Sequence, residues 1–450
     1  MSDFSVVGAR SSIGRSGLNR FGGYVFEDFL PYLTMPYSLK IYKEMSMNDP
    51  TIGSIIFAAD QLIKNTSWRV ETEGTSNIEL EAKEFINECM HDMSFSWIDT
   101  IAEILSMFVY GWSWHEIIYK YRGGNVRDPK KKSKYNDGKI GWRKIAGRSQ
   151  DTWEEWLFKE DSVVGMVQSS PPDFNSVKIP LEKSLLFRTR VDRDNPEGRS
   201  LLRNAYRPWF FKKHIEEIEG IGIERDLAGL PVLTPPPDIN LWDTDNQDAV
   251  RLKEYAENMV RNIRRDQNEG VVLPNGWDLT LLSSQSARQF DTNAILNRYD
   301  QRIAMTMLAD LVLLGSSREG SFALADAKKG LLASALDAQL KSIAEVFNNK
   351  AIPKLLHLNG YSDDIITPIL KPSSVSVPKL TELARYITAL SGANFPLLND
   401  ENLEEYLRHV GGLPMKSAEA TAGEENEDSS GDTTTDSYDS VWDEVHREGK

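Results

Sequence analysis

The sequence predicts an α+β fold, mainly helical, with one β-rich segment and one small mixed unit. Three patterns predict it. Apolar residues recur at helical spacing over 37–119, 180–229 and 291–347. Short strands separated by turn signals run from Trp114 to about Val167. Residues 230–284 combine strand patterns with one amphipathic helix. With 450 residues, the chain has room for about two to four domains.

In chain order, residues 1–36 read as a flexible arm, because 1–23 are rich in Ser, Gly and Arg and carry no period. Ile52, Ile55, Ile56, Ala59, Leu62 and Ile63 then share a helical face, as do Ile98, Ile101, Ile104, Leu105 and Phe108. Trp68–Thr72 reads as a strand between them. Turn signals at Arg122-Gly-Gly-Asn, Asn136-Asp-Gly and Asp161-Ser, with Trp142, Trp153 and Trp156, predict one small sheet over 114–190. Its loop 129–134 carries Lys130, Lys131, Lys132 and Lys134. A solvated hairpin tip is the ordinary reading of that cluster; a contact to nucleic acid or an acidic partner is the alternative.

After the turn Asp194–Gly198, Ser200 is placed to cap a short helix, Leu201–Tyr206, and Pro208 kinks or restarts it. The helix to Ala228 has a stripe of Phe211, Ile215 and Ile218, with Glu216, Glu217, Glu219, Glu224 and Asp226 around it. Gly220 and Gly222 each cost about 1 kcal/mol there, which predicts either close approach of a neighbouring helix or a local break. Leu230–Thr234 reads as a strand and Pro235–Pro237 as a stiff connector. An amphipathic helix is predicted over Asp245–Arg265, then two strands, Gly270–Pro274 and Trp277–Leu282, joined by Asn275-Gly276. Asp291 caps a helix whose stripe is Ile295, Leu296, Tyr299, Ile303, Met307, Leu311 and Leu314. A polar loop, Gly315–Ser321, leads into a helix over Phe322–Phe347. Leu324, Ala327, Leu331, Ala335, Ala338, Ile343 and Phe347 are expected to face inward. Helices are expected near Val377–Leu390 and Asn399–Val410, and disorder after Pro414.

Charge and chemistry narrow the function. The chain has 52 basic and 67 acidic residues, a net charge of −15, which argues against gripping nucleic acid by bulk positive charge. The imbalance is local: 416–450 carry 11 acids and 3 bases, and 120–148 carry 11 bases and 2 acids. Cys89 is the only cysteine, so neither a disulfide framework nor a multi-cysteine metal site is expected. No run of about 18 apolar residues predicts a membrane helix, and the N-terminus lacks the apolar stretch of a signal peptide. Gly315–Phe322 imitates a phosphate-binding loop but has Ser321 where the lysine belongs, and it follows a helix. Gly220-Ile-Gly lacks the third glycine of a dinucleotide fingerprint. His214 and Glu217 read as a surface ion pair. No catalytic residue, metal or cofactor is predicted. The rival reading is a metal-dependent nuclease using Asp192, Asp194 and Glu197.

The ordered run Ile179-Pro-Leu-Glu-Lys-Ser-Leu-Leu-Phe-Arg-Thr-Arg, then Asn195-Pro-Glu-Gly-Arg-Ser-Leu-Leu-Arg-Asn-Ala-Tyr, then Trp209 with Lys212-Lys213 and a long helix, resembles portal proteins of tailed bacteriophages, particularly the Mu-like branch. The resemblance implies a portal-type fold. Residues 37–198 would be a wing, 199–229 a stem helix, 230–284 a clip and 285–314 a returning stem helix. Residues 315–321 would be a tunnel loop, 322–375 a wing helix and connection, 376–412 a crown, and 413–450 an acidic tail. It also implies a dodecameric ring at one capsid vertex of the virion, assembled in the host cytoplasm. Such a ring passes double-stranded DNA and docks the terminase large subunit, the major capsid or scaffold protein, and a head-completion or tail adaptor. No enzymatic activity and no membrane are implied. By the same resemblance, Ser316, Ser317, Arg318 and Glu319 would face DNA in the tunnel. Glu216, Glu217, Glu219 and Glu224 would line the channel, and Asp243, Asp245, Arg261, Arg264 and Arg265 would dock partners at the clip. Another virion connector or scaffold is the remaining alternative.

Overall fold

The computed structural model describes residues 15–123, 128, 132–228, 230–262, 272–282, 291–307, 322–362, 364–375, 384, 385 and 387–389. The chain divides after Val375 into two units. In the second unit the described residues, 384, 385 and 387–389, are helical. The second predicted crown helix, the polar loop 315–321 and the acidic tail lie outside the described residues.

The expected flexible arm is ordered from residue 15 onward. Strands β1 (Arg20–Phe21) and β2 (Tyr24–Val25) form a hairpin turned by Gly22-Gly23. A Cβ on Gly23 would lie 2.9 Å from both Glu155 Cβ and the Trp156 carbonyl, so the turn depends on glycine there. The Trp156 N–H donates to the Gly23 carbonyl at 3.0 Å, Tyr24 meets Trp153 edge-on, and Val25 is buried. Apolar anchoring outweighs the lack of period.

Helices α1 (Tyr37–Asn48) and α2 (Pro50–Lys64) meet at Asp49, whose carboxylate accepts the Ile52 N–H at 2.9 Å and so caps α2. Strand β3 (Trp68–Glu71) precedes α3 (Asn77–His91), which opens with a capping box between Ser76 and Glu79. Helices α4 (Trp97–Ile104) and α5 (Ser106–Tyr110) follow. Ile101, Ile104, Leu105 and Phe108 are buried as expected, whereas Ile98, in the first turn of α4, and Leu62, near the end of α2, are exposed.

The β-rich segment is two sheets rather than one. Strands β4 (Trp112–Tyr121), β5 (Ile140–Arg148), β6 (Trp153–Lys159), β7 (Ser162–Ser169), β8 (Ser176–Pro180) and β9 (Ser184–Arg188) pair antiparallel as β5-β4-β9 and β6-β7-β8. Strand β4 explains the division. Trp112 and Trp114 enter one core with Trp153, Trp156 and Met166. Ile117, of opposite parity along the strand, enters another with Phe108, Trp142 and Phe347. A strand buried on both faces needs a partner layer on each.

The remaining elements are α6 (Tyr206–Ala228), β10 (Leu230–Thr234), α7 (Gln247–Asn262), β11 (Asp278–Leu282), α8 (Thr292–Thr306), α9 (Phe322–Val346), a wide π turn at Phe347–Ala351, α10 (Ile352–Leu358) and β12 (Ile369–Pro372). Strand β12 pairs with β3, Leu370 opposite Val70, closing the first unit on its own beginning. Ser200 caps the three-residue 3-10 turn Leu201–Arg203, and Asp291 caps α8 through the Ala294 N–H. The expected hairpin over 270–282 is not the pairing found: β11 pairs with β10, Leu230 opposite Leu282. Asn275-Gly276 still turns the chain, with Gly276 at φ +82°. Pro274 has no N–H to give a ladder, and Val272 is exposed. On α9 the inward residues are Ala333, Leu336, Leu340, Ile343, Ala344 and Phe347, while Leu331 and Ala338 face out. Alanine discriminates weakly between faces; the larger Leu336, Leu340 and Ile343 set the rotation.

Candidate functional site

Helix α6 runs antiparallel to α8. Phe211 stacks on Tyr299, Lys212 reaches Asp300, and Glu219 accepts the Thr292 hydroxyl, so rising numbers on one helix meet falling numbers on the other. Two anchors fix the root of α6. Ahead of it, Gly111 ends α5 in the left-handed region (φ +92°) and Gly198 lies at φ +56°. A Cβ on Gly198 would sit 2.2 Å from the Gly111 carbonyl oxygen. Ser200 donates to the Val109 carbonyl, and Arg203 pairs with Asp28.

The second anchor is a buried ion cluster. Lys212 Nζ, its side chain 4% exposed, lies 3.0 Å from Asp49 Oδ2 and 2.7 Å from Asp300 Oδ1, with Glu216 at 3.9 Å. Thr51 donates to the same Asp300 oxygen at 2.7 Å. Burial works to lower the Lys212 pKa, but the bonds to Asp300 and Asp49 and their charges outweigh it and hold it above its ordinary value. Lys213 pairs with Glu44 at 2.6 Å, and Trp209 enters a core with Tyr42, Met45 and Leu202.

Beyond the root, α6 leaves apolar surface uncovered. Ile218 is 67% exposed, and Ile221 and Ile223 are exposed as well. The helix continues unbroken through Gly220 and Gly222, and nothing lies within 4 Å of a Cβ built on either. Among the described residues neither explanation read from the sequence, a neighbouring helix or a break, is found.

The predicted residues fall as follows. Glu216 and Glu217 are exposed on α6, Glu219 is half-buried against Thr292, and Glu224 lies in the helix with its side chain outside the described residues. Asp243 and Asp245 share an exposed turn in which the Asp245 N–H donates to Asp243 Oδ1 at 3.1 Å. Arg261 pairs with Glu257 at 3.6 Å. Arg264, Arg265, Ser316, Ser317, Arg318, Glu319, Lys130 and Lys131 lie outside the described residues. Lys132 and Lys134 are exposed, and the base of their loop is tied to Asp92 through the Lys134 N–H (2.8 Å) and the Ser133 hydroxyl. His214 contacts the Phe210 carbonyl at 3.0 Å rather than Glu217. The sequence reading passed over Trp242, 77% exposed with Lys253 Nζ 4.2 Å from its ring centre. Its signal was present: a large aromatic in a polar turn between Pro237 and α7.

The carboxylates of the nuclease reading are not a metal site. Arg188 holds Asp194 at 3.1 Å, Arg193 lies 3.5 Å from Asp192, and Glu197 accepts from the Trp156 indole at 3.3 Å. Among the described residues no group of three His, Cys, Asp or Glu is placed to hold a metal ion, and no helix is long and apolar enough to cross a membrane.

Two titratable groups, the half-buried Glu197 and the buried His115, shape the pH dependence of stability. Burial pushes Glu197 up to about 8, with the Trp156 bond opposing it, and pushes His115 down to about 3. Glu197 therefore contributes stability in acid that is lost as pH rises from about 4.5 towards 8. His115 contributes stability above about 6.5 that is lost as pH falls towards 3. Glu197 is half-buried as a residue, so its share is discounted to on the order of 2 kcal/mol. Glu197→Gln is expected to match the wild type in denaturant unfolding at pH 5 and exceed it at pH 9. An equal difference at both pH values would remove the assignment.

The family model described as "Portal protein of Mu bacteriophage" matches residues 39–408. The virion of a native gene transfer agent particle contains a chain that is 12% identical, with 84% of this chain and 94% of that chain covered and a TM-score of 0.49. The neck of a native gene transfer agent particle computed with C12 symmetry gives the same identity and coverage at 0.48. An HK97-family phage portal protein from Corynebacterium diphtheriae is 12% identical, with 74% and 95% covered, at 0.42.

Proposed function

Because this chain belongs to the family of portal proteins of Mu bacteriophage, a structural component of the capsid vertex and not an enzyme, we propose that twelve copies close into a ring whose channel carries double-stranded DNA. The observation that supports the ring is the open face of α6. Ile218, Ile221 and Gly222 stand at i, i+3 and i+4, apolar and uncovered. A helix of the next copy laid over the two glycines can approach closely, which offsets their cost to the helix. Cyclic symmetry repeats that contact head to tail until the ring closes.

The acidic residues suit the channel. Each cation that neutralises a phosphate adds counterion-release affinity, and a ring multiplies it by the copy number. We assign the channel's acidic wall to Glu216, Glu217, Glu219 and Glu224, of which Glu216 and Glu217 are exposed on α6 and Glu219 also accepts the Thr292 hydroxyl. We assign contact with DNA to Ser316–Glu319, which Gly315 and Gly320 flank in the sequence. At the clip, Asp243 and Asp245 share an exposed turn with Trp242, the residue type that most often anchors an interface, and we assign Arg261, Arg264 and Arg265 to the same docking role. This face docks the terminase large subunit during packaging and the head-completion or tail adaptor afterwards, and the wing meets the major capsid or scaffold protein. The ring assembles in the host cytoplasm and stays in the virion.

Ile218→Asp/Ile221→Asp tests the reading. Both positions are exposed in the single chain, so its unfolding should move by no more than about 0.5 kcal/mol, while rings should vanish from electron micrographs. Unchanged rings in the double variant, or metal-dependent DNA cleavage by a monomer, would overturn the proposal. Deleting Ser316–Glu319 should leave rings intact and reduce packaged DNA.

A further inference from the structure

A cleft of about 680 Å³ opens where the two sheets and the π turn meet, far from the α6–α8 pair in the chain. Its apolar lining is Ile117, Val163, Val164 and Leu181. Lys159, Lys350 and Lys354 complete it, opposed by one acid, Glu182. None of these lysines stands in an ion pair among the described residues; Lys354 Nζ donates to the Glu182 backbone carbonyl. On β4 and β5, by contrast, Lys120 is paired with Asp92, Lys144 with Glu103 and Arg148 with Glu116. Lys350 belongs to the π turn, an irregularity that breaks an otherwise continuous helix and is found preferentially at functional sites. Burial and the nearby Arg188 charge both work against its ammonium, so an anion placed there would be stabilised.

We propose that this cleft docks a short segment of a partner protein in which carboxylates alternate with apolar side chains. The three cations select an acidic ligand. The aliphatic lining selects a peptide over a nucleic acid, because a duplex presents phosphates but no aliphatic side chains to fill it. The volume lies within the roughly 300–1,000 Å³ of ordinary ligand sites, room for a few side chains rather than a folded domain. Charge at the rim sets the encounter rate and salt dependence, and apolar contact holds the segment. The site does not depend on ring formation.

The probe is a fluorescein-labelled peptide alternating Asp with Leu, titrated with the full-length chain, beside a neutral version alternating Asn with Leu. The acidic peptide should bind, and more weakly as salt rises. K159Q/K350Q/K354Q should weaken it at least about tenfold, as should Val164→Asp, which alters the lining and spares the lysines. Lys40→Gln, an exposed lysine on α1, should have no effect. Circular dichroism checks that the variants fold. Equal binding of the neutral peptide, unchanged affinity in the triple variant, or tighter lysine-dependent binding of a short DNA duplex would overturn the proposal.

Discussion

Gly198→Ala should be strongly destabilising. The residue lies at φ +56°, and its new Cβ would stand 2.2 Å from the Gly111 carbonyl oxygen, a distance only a backbone shift relieves. That shift has nowhere to go. The Gly111 carbonyl also accepts the Thr189 N–H at 3.0 Å, and a Cβ on Gly111 would itself lie 2.5 Å from the Glu197 carbonyl. The two glycines are back to back, joining the end of α5 to the turn that launches α6. Left-handed backbone alone costs a side chain about 1–2 kcal/mol, and overpacking adds about 1–3 kcal/mol. The sum, about 2–5 kcal/mol, is a large part of ordinary domain stability. Gly360→Ala separates the two contributions, because Gly360 has φ +77° and nothing within 4 Å. Denaturant unfolding should show it costing about 1–2 kcal/mol. A Gly198→Ala loss no greater than that would mean the contact with Gly111 is dispensable.

Gly198 also shows how much was legible. The turn Asn195-Pro-Glu-Gly, the cap at Ser200, the cap at Asp291 and the strands around the tryptophans were readable, because each is fixed by residues close in sequence. The reason Gly198 must be glycine was not, since Gly111 lies far away in the chain. The same limit explains the single sheet expected where β4 divides two, and the hairpin expected where β11 crosses to β10. Local pattern identifies a strand; its partner is chosen by long-range packing. For the site, the sequence identified the acidic helix, yet it could not tell that Ile218 and its neighbours stay uncovered within the chain. It also treated Lys212 as one basic residue of a family pattern. Its role is visible only when Asp49 and Asp300, far apart in the chain, arrive beside it.

Lys212→Met should cost about 3–5 kcal/mol at pH 7, the range for removing one partner of a buried ion cluster. The methionine refills the space, so the loss is electrostatic. It leaves Asp49 and Asp300 facing each other with no cation between them, and like charges so close cannot both stay ionised cheaply. Protonating one of the pair relieves that repulsion. Stability gained from such groups is present in acid and lost as pH rises, so the deficit against wild type should shrink from pH 7 to about pH 4.5. In the wild-type cluster the loss comes only at the alkaline end. With Lys212 held above its ordinary value, its contribution persists until pH rises through that raised pKa. Asp300→Asn in the Lys212→Met background should recover part of the loss at pH 7, since only Asp49 would then stay charged, while its other oxygen still caps α2. Denaturant unfolding of the wild type and the two variants at pH 4.5 and 7 reads the acid dependence and the partial recovery. A pH-independent deficit would show that Lys212 acts through packing of its stem rather than through charge, and the anchor of α6 would then be Trp209 and its apolar neighbours.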